Sequence, residues 1–292
     1  MLEFKDIEIE DKKRFDRIIG GIDPDGCMYP NADYTFGNLF IWKHRYGSRV
    51  AFGEDVCCIV EKGGEYAYFP ICSDVDLPRA LKAQNRSRML YVTEGMLSRL
   101  DALGIRYEKS EMPDSFDYVY YHDDLAELPG KKYHQKRNHI AYFEKLYPDH
   151  KFEMITPENI AECREFSVRW AEQSLHGIDP EERAALDAAL DGFFELGFEG
   201  GLIRAGGEVV AMSAGERRGD SFVVHIEKAL GTRGAYPLIN RDFVRNVCVG
   251  SYLINREEDM GIEGLAKAKQ SYHPACVLKK YAVTICDLNG IQ

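Results

Sequence analysis

No apolar run in the sequence approaches the roughly 20 residues that a membrane-spanning helix requires. The opening Met1-Leu2-Glu3-Phe4-Lys5-Asp6 is charged almost at once, so no secretory leader is expected and the chain reads as cytoplasmic. Paired-cysteine chemistry is missing too. The 8 cysteines contain no Cys-x-x-Cys spacing, and the adjacent Cys57 and Cys58 suit neither a zinc knuckle nor an easy bridge. Most lie in apolar runs such as Val56-Cys57-Cys58-Ile59-Val60, which predicts buried free thiols. No His-x-x-x-His pair occurs, and the five-residue step from His134 to His139 is poor for sharing an ion, so no metal site is expected. Positive charge is in deficit: 37 Lys and Arg stand against 48 Asp and Glu, for a net charge of −11. That disfavours indiscriminate binding to nucleic acid or anionic membranes while leaving room for a local basic patch. With 45% hydrophobic residues and only 11 prolines, the chain is neither disordered nor collagen-like.

What is present is enough chain, 292 residues, for two domains. A hairpin is predicted from Val56–Val60 through Lys62-Gly63-Gly64 to Glu65–Phe69. A meander follows later: Gly201–Arg204, a turn at Ala205-Gly206-Gly207, Glu208–Met212, and Ser221–Ile226 after Arg217-Arg218-Gly219-Asp220. Both regions carry Gly-Gly-Glu, at 63–65 and 206–208, a modest hint of duplication. Thr156-Pro157 and Asp179-Pro180-Glu181-Glu182 read as helix starts, and Pro237 begins a third helix with Ile239, Phe243 and Val247 on one face. Tyr252–Asn255 reads as a strand, Ile262 to about Tyr272 as a helix, and Val277–Ile285 as one last strand. The first half is similar but less regular, with strands near Phe4–Ile9, Leu90–Val92 and Tyr118–Tyr121 and a helix over Glu94–Leu103. Leu128-Pro129-Gly130 breaks the pattern before a polar helix over 131–146. Placing the boundary near Asp149 gives domains of residues 1–149 and 150–292, an α/β or α+β duplication.

Two segments could carry chemistry. Lys131, Lys132, Lys136, Arg137 and Lys145 concentrate positive charge on the 131–146 helix, while Tyr133, Ile140 and Tyr147 keep an apolar seam. This is either an anion-binding face or a solvated helix joining two domains. The second segment begins at Gly231-Thr232-Arg233-Gly234, a glycine loop at a helix N-terminus that would expose amides to a phosphate or carboxylate, or simply make a turn. Arg241 and Arg245 follow one turn apart. Asn255-Arg256-Glu257-Glu258-Asp259 then leaves a strand end, where ligands of such sheets gather, and could supply a base or merely cap a helix.

Leu128–Asn138, Gly234–Arg241, Tyr252–Gly261 and Gly264–Pro274 together resemble a bacterial family related to the C-terminal catalytic domain of phosphatidylglycerol lysyltransferases. The resemblance covers essentially the whole chain and implies tandem GNAT-like (acyl-CoA N-acyltransferase-like) domains, mixed sheets flanked by helices, shared with the Fem aminoacyltransferases. It implies an acyltransferase, aminoacyl in preference to acetyl, with aminoacyl-tRNA or acyl-CoA as donor substrate. The acceptor would be a small molecule, a peptide or a lipid headgroup. Gly231, Arg233, Gly234, Asn240, Arg241, Asn255, Lys267 and Lys269 are the candidate donor-binding residues. Glu257 or Asp259 is the candidate base, Tyr272 the proton donor, and Lys131, Lys132, Lys136 and Arg137 the anion-binding set. A CoA-dependent N-acetyltransferase and a non-catalytic anion-binding module are the rival readings.

Overall fold

A computed structural model describes residues 2–61, 63–173 and 179–291; Lys62 of the first predicted turn lies outside them. The chain forms two compact units interleaved in sequence. The first comprises Met1–Asp117, Glu257–Ala266 and Val277–Gln292, and the second Tyr118–Arg256 and Lys267–Cys276.

The strands in chain order begin with β1 (Lys5–Asp6), β2 (Arg49–Phe52), β3 (Cys57–Val60), β4 (Tyr66–Tyr68), β5 (Arg88–Val92) and β6 (Tyr107–Glu111). Then come β7 (Asp117–Tyr121), β8 (Lys151–Met154), β9 (Glu199–Ala205), β10 (Glu208–Arg218) and β11 (Ser221–Ala229). The series ends with β12 (Leu253–Asn255), β13 (Cys276–Leu278) and β14 (Tyr281–Ile285). The first unit's sheet has the order β1-β2-β3-β4-β5-β14-β6. All its pairings are antiparallel except β4 with β5. In the second unit the order β8-β9-β10-β11-β12-β7 repeats that pattern, again with one parallel pair, β11 with β12.

Duplication is thus written in the pairing pattern, but not where the repeated tripeptide suggested. Gly63-Gly64 turns β3 into β4, whereas Gly206-Gly207 turns β9 into β10, one hairpin earlier in the repeat. Each pair of glycines has positive φ, which is what a tight turn demands of any sequence, so the match reflects turn chemistry. The predicted last strand is also two. β13 and β14 are separated at Lys279-Lys280, and the Lys280 side chain is wholly buried in an ion cluster described below. The predicted strand at Phe4–Ile9 shrinks to β1 followed by a single 3-10 turn over Ile9–Asp11.

One of the helix starts read from caps falls in place, whereas the helix expected from Thr156-Pro157 begins only at Ile160 and runs to Gln173. Asp179 accepts the amide of Glu181 at 3.0 Å ahead of the helix Pro180–Asp191. The helix expected from Pro237 begins two residues earlier, spanning Ala235–Asn246. Proline is tolerated in that first turn because its missing N–H would have had no intrahelical partner. Leu238, Ile239, Phe243 and Val244 of this helix, with Val247 just after it, enter the second unit's core with Tyr133, Ile140 and Phe143 of the basic segment. Tyr147 packs on the same core, so the seven-residue seam does anchor the helix His134–Leu146. Of the cysteines, Cys57, Cys58, Cys72, Cys163 and Cys248 are buried free thiols, while Cys27, Cys276 and Cys286 are exposed. No helix among the described residues is long and apolar enough to cross a membrane.

Candidate functional site

In the second unit the parallel pair is short. β12 pairs with β11 only over Leu253–Asn255 against Ser221–Val223, while β11 runs on to Ala229. Past Asn255, Arg256 turns its guanidinium onto the extended part of β11: Nη2 donates to Glu227 Oε1 at 2.7 Å. The other Glu227 oxygen accepts from Asn240 Nδ2 at 2.8 Å. The guanidinium lies over the rings of Tyr272 and Tyr120, 4.8 and 5.6 Å from their centroids. Lys136 Nζ stands 3.8 Å from the Tyr272 centroid and donates to Ser271 Oγ at 2.6 Å. Lys269, buried, donates to the Arg256 carbonyl at 2.5 Å. Among the described residues, Asn240 Oδ1 and Arg256 Nη1 are buried without a hydrogen-bond partner. Such atoms are costly unless a ligand or water meets them.

The electrostatics follow from this crowding. Burial, and then the Arg256 charge, lower the Lys136 ammonium to a pKa of about 8, against the opposing pull of Glu227. Burial raises the Tyr272 phenol well above its ordinary value, although Arg256 works the other way, so it stays protonated.

The remaining candidates of this unit are distributed between this cluster and the basic helix. Gly234 has φ +95°, and a Cβ added there would lie 2.1 Å from the His139 carbonyl oxygen, so the loop closes directly onto the basic helix. Gly231 faces open space. The Arg233 guanidinium lies over Tyr142, 5.1 Å from its centroid. The helix start offers fewer donors than the glycine loop implied, because the Ala235 amide already bonds the Thr232 carbonyl at 3.1 Å and Pro237 has none. Arg241 commits its guanidinium to Asp242 and Glu144, at 2.7 and 3.1 Å. Asn255 is buried within its strand, and Lys267 is exposed. Of the basic set, Lys132 pairs with Asp124 at 3.2 Å, Arg137 donates to the Leu128 and Gly130 carbonyls, and Lys131 is exposed. Lys136 alone among these four joins the cluster at Arg256 and Tyr272.

Glu257 and Asp259 belong to the first unit. Glu257 accepts from Asn38 Nδ2 at 3.1 Å, and Asp259 accepts the Gly261 amide at 2.9 Å, shaping the turn into the helix Glu263–Gln270. The residue between them has the more perturbed surroundings. Glu258 stands 3.9 Å from the buried Lys280 ammonium, which also meets Asp33 at 2.5 Å and Asp117 at 2.7 Å. Burial, with the adjacent carboxylates Glu257, Asp117 and Asp33 outweighing Lys280, pushes Glu258 up to about 8. Nothing in the sequence announced Lys280, Asp33 or Asp117 as partners, since they come from segments far apart along the chain. Glu227 was equally silent, being the single acid of a strand that also carries His225 and Lys228.

The family model described as phosphatidylglycerol lysyltransferase, C-terminal, matches residues 28–284. A conserved protein of unknown function from Bacteroides thetaiotaomicron is 34% identical, covering 98% of this chain and 100% of that one with a TM-score of 0.85. L-PGS from Bacillus licheniformis is 15% identical, covering 84% of this chain and 90% of that one, TM-score 0.59. FemX is 12% identical over 96% of each chain, TM-score 0.56. At these last identities the likeness is one of fold, a tandem GNAT-like architecture. An uncharacterized protein of Mycoplasmoides gallisepticum is 25% identical over 177 residues, 59% of this chain. That match spans 56% of the relative's own length, little more than half.

Proposed function

Because the chain belongs to the family of phosphatidylglycerol lysyltransferase C-terminal domains, we propose that it transfers an aminoacyl group from an aminoacyl-tRNA to an amine or hydroxyl acceptor. Family and fold support an acyltransferase; the aminoacyl donor is the finer reading. The observation that carries it is the cluster at the open end of β11 and β12, where Arg256, Lys136 and Asn240 gather beside Tyr272 in a chain of net charge −11. Arg256 would hold the anionic carrier, with Arg233 and the open backbone at Gly231 extending the contact along the loop. Glu227 positions both Arg256 and Asn240 and leaves each with one polar atom free for a ligand.

The reaction asks little beyond placement. The acceptor nitrogen or oxygen attacks the ester carbonyl, its proton passes to a base, and the carrier hydroxyl departs with a proton. Holding ester and acceptor together can supply most of the acceleration. A Lys136 amine with a pKa near 8 is partly neutral in the same range and suits the base role. The protonated Tyr272 phenol suits a hydrogen-bond donor to the departing oxygen.

The test is to incubate the protein with radiolabelled Lys-tRNA or Ala-tRNA and amine, peptide or lipid-headgroup acceptors. Donor should be consumed into acceptor. Lys136→Met should reduce the rate at least tenfold, and Arg233→Ala should raise the donor concentration needed. Consumption indifferent to both changes sinks the assignment. Acetyl-CoA in a thermal-shift experiment separates the acetyltransferase alternative, since a ligand at 100 times its Kd stabilises by about 2.7 kcal/mol.

A further inference from the structure

Lys136 is the third residue of the helix His134–Leu146, and a lysine so close to a helix start meets the positive end of the macrodipole. Its neighbours in space do little to compensate. Nζ donates to the neutral hydroxyl Ser271 Oγ at 2.6 Å and lies 3.8 Å from the Tyr272 ring centroid. The Arg256 guanidinium shares that ring, 4.8 Å from the same centroid. Glu227, the carboxylate of this cluster, is engaged through both oxygens, one by Arg256 and one by Asn240. Lys132, four residues earlier, shows the contrast, for it is exposed and has Asp124 beside it at 3.2 Å. Among the described residues Lys136 forms no such ion pair.

The hydrogen bond to Ser271 bears on reactivity. Ser271 Oγ donates its own proton to the Ala268 carbonyl at 2.6 Å, so toward Lys136 it can only accept. An amine held by its N–H in this way keeps its lone pair free. Ser271 is exposed and Lys136 half-buried, so the pair lies at the solvent edge of the cluster. Burial and the Arg256 charge bring the ammonium down to about 8. At pH 7 about a tenth of such an amine is neutral, against roughly one part in 2,500 for an ordinary lysine.

We infer that Lys136 Nζ is a self-acylation site, which takes the acyl group of a small activated donor, an acyl phosphate or an acyl thioester, and becomes an amide. The amine attacks the carbonyl carbon and a C–N bond forms. The C–O bond to phosphate, or the C–S bond of the thioester, breaks, and the leaving group departs with the bonding electron pair. The proton lost from nitrogen passes to water or to the departing thiolate. An amide nitrogen is neither charged nor basic, so acylation removes the base assigned to Lys136 above. Only that consequence, a switch that turns transfer off, rests on the transferase reading; the modification itself does not.

The test is to incubate the whole protein with acetyl phosphate, and in parallel with acetyl-CoA, following each lysine-containing peptide by mass spectrometry. At pH 7 Lys136 should be acetylated at least tenfold faster than Lys131 and Lys145, and the donor that labels it assigns the source. Its rate should climb with pH and level off above about 8. The charged and titratable groups facing Lys136 are Arg256, Glu227, Tyr272 and His139. Tyr272 stays protonated over this range and His139, held below its ordinary value by burial, Arg233 and Lys136, stays neutral, so the profile belongs to Lys136. Arg256→Gln, which removes the neighbouring cation, should slow labelling at pH 7 at least threefold. Where that variant fails to fold, the wild-type profile decides. Labelling of Lys136 no faster than that of Lys131, or a rate still rising steeply at pH 10, overturns the inference. Unselective labelling of a protein whose donor consumption is still cut by Lys136→Met would sink this inference alone. Selective labelling of a protein that consumes no donor would sink the transferase reading alone.

Discussion

Lys280 is held by carboxylates whose pull offsets the large cost of removing an ammonium from water. Burial, Lys280 and the neighbouring acids fix how Glu258 titrates. Its folded pKa is raised from 4.5 to about 8, so the fold favours the protonated acid. The stability associated with that preference is complete below about pH 4.5 and disappears as pH climbs through about 8. Glu258→Gln preserves the shape and stays neutral throughout. The melting temperature of the variant relative to the wild type should therefore rise steadily from pH 5 to pH 8 (about the interval between the two pKa values). Asp33, Glu61, Asp114, Asp117, Glu257, Arg45 and Lys280 face the same region and remain in both proteins, so the difference reports Glu258 together with the neighbours whose titration it influences. A difference that does not move with pH would mean that Glu258 ionises freely in the fold.

Among the elements, the loop ahead of Ala235–Asn246 is the most tightly specified. Gly234 combines φ +95° with a backbone approach that leaves no room for a Cβ beside the His139 carbonyl and Phe143. Gly234→Ala should cost about 1–3 kcal/mol in urea unfolding, and Gly231→Ala, facing open space, under about 1 kcal/mol. Equal costs would contradict the packing of loop on helix. The sequence made such elements legible wherever local chemistry decides: Asp179 before Pro180 caps a helix, and the Gly206-Gly207 turn closes a hairpin between apolar runs. The seam of Tyr133, Ile140 and Tyr147 marked the buried face of the basic helix. What stayed hidden depends on long-range pairing. β6, Tyr107–Glu111, is largely exposed and charged, is assigned no element from the sequence, and is a strand because β14 pairs along it. The candidate base was sought at Glu257 or Asp259, yet Glu258 has the most perturbed environment of the three, for reasons that lie at residues 33, 117 and 280.

For the whole molecule, the exchanged strands matter most. β14 comes from the end of the chain and lies between β5 and β6 in the first unit, whereas β7, from the first half, pairs with β12 in the second. The two units are therefore not consecutive halves, and each sheet needs a strand from the other half of the sequence. Deleting residues 277–292 removes β14 and with it Lys280, the counter-charge of Asp33 and Asp117. β6 would lose the strand it pairs with, β5 would lose one of its two neighbours, and two buried carboxylates would be left without their cation. Hydrogen exchange of the truncated chain should show lost protection across residues 88–92 and 107–111. Amides of β9, β10 and β11, whose partners all lie within the second unit, should keep theirs. Uniform protection loss would mean that the second unit cannot hold its meander without the first. Retained protection at β6 would show that β14 is dispensable, and the interleaving would then have no energetic consequence.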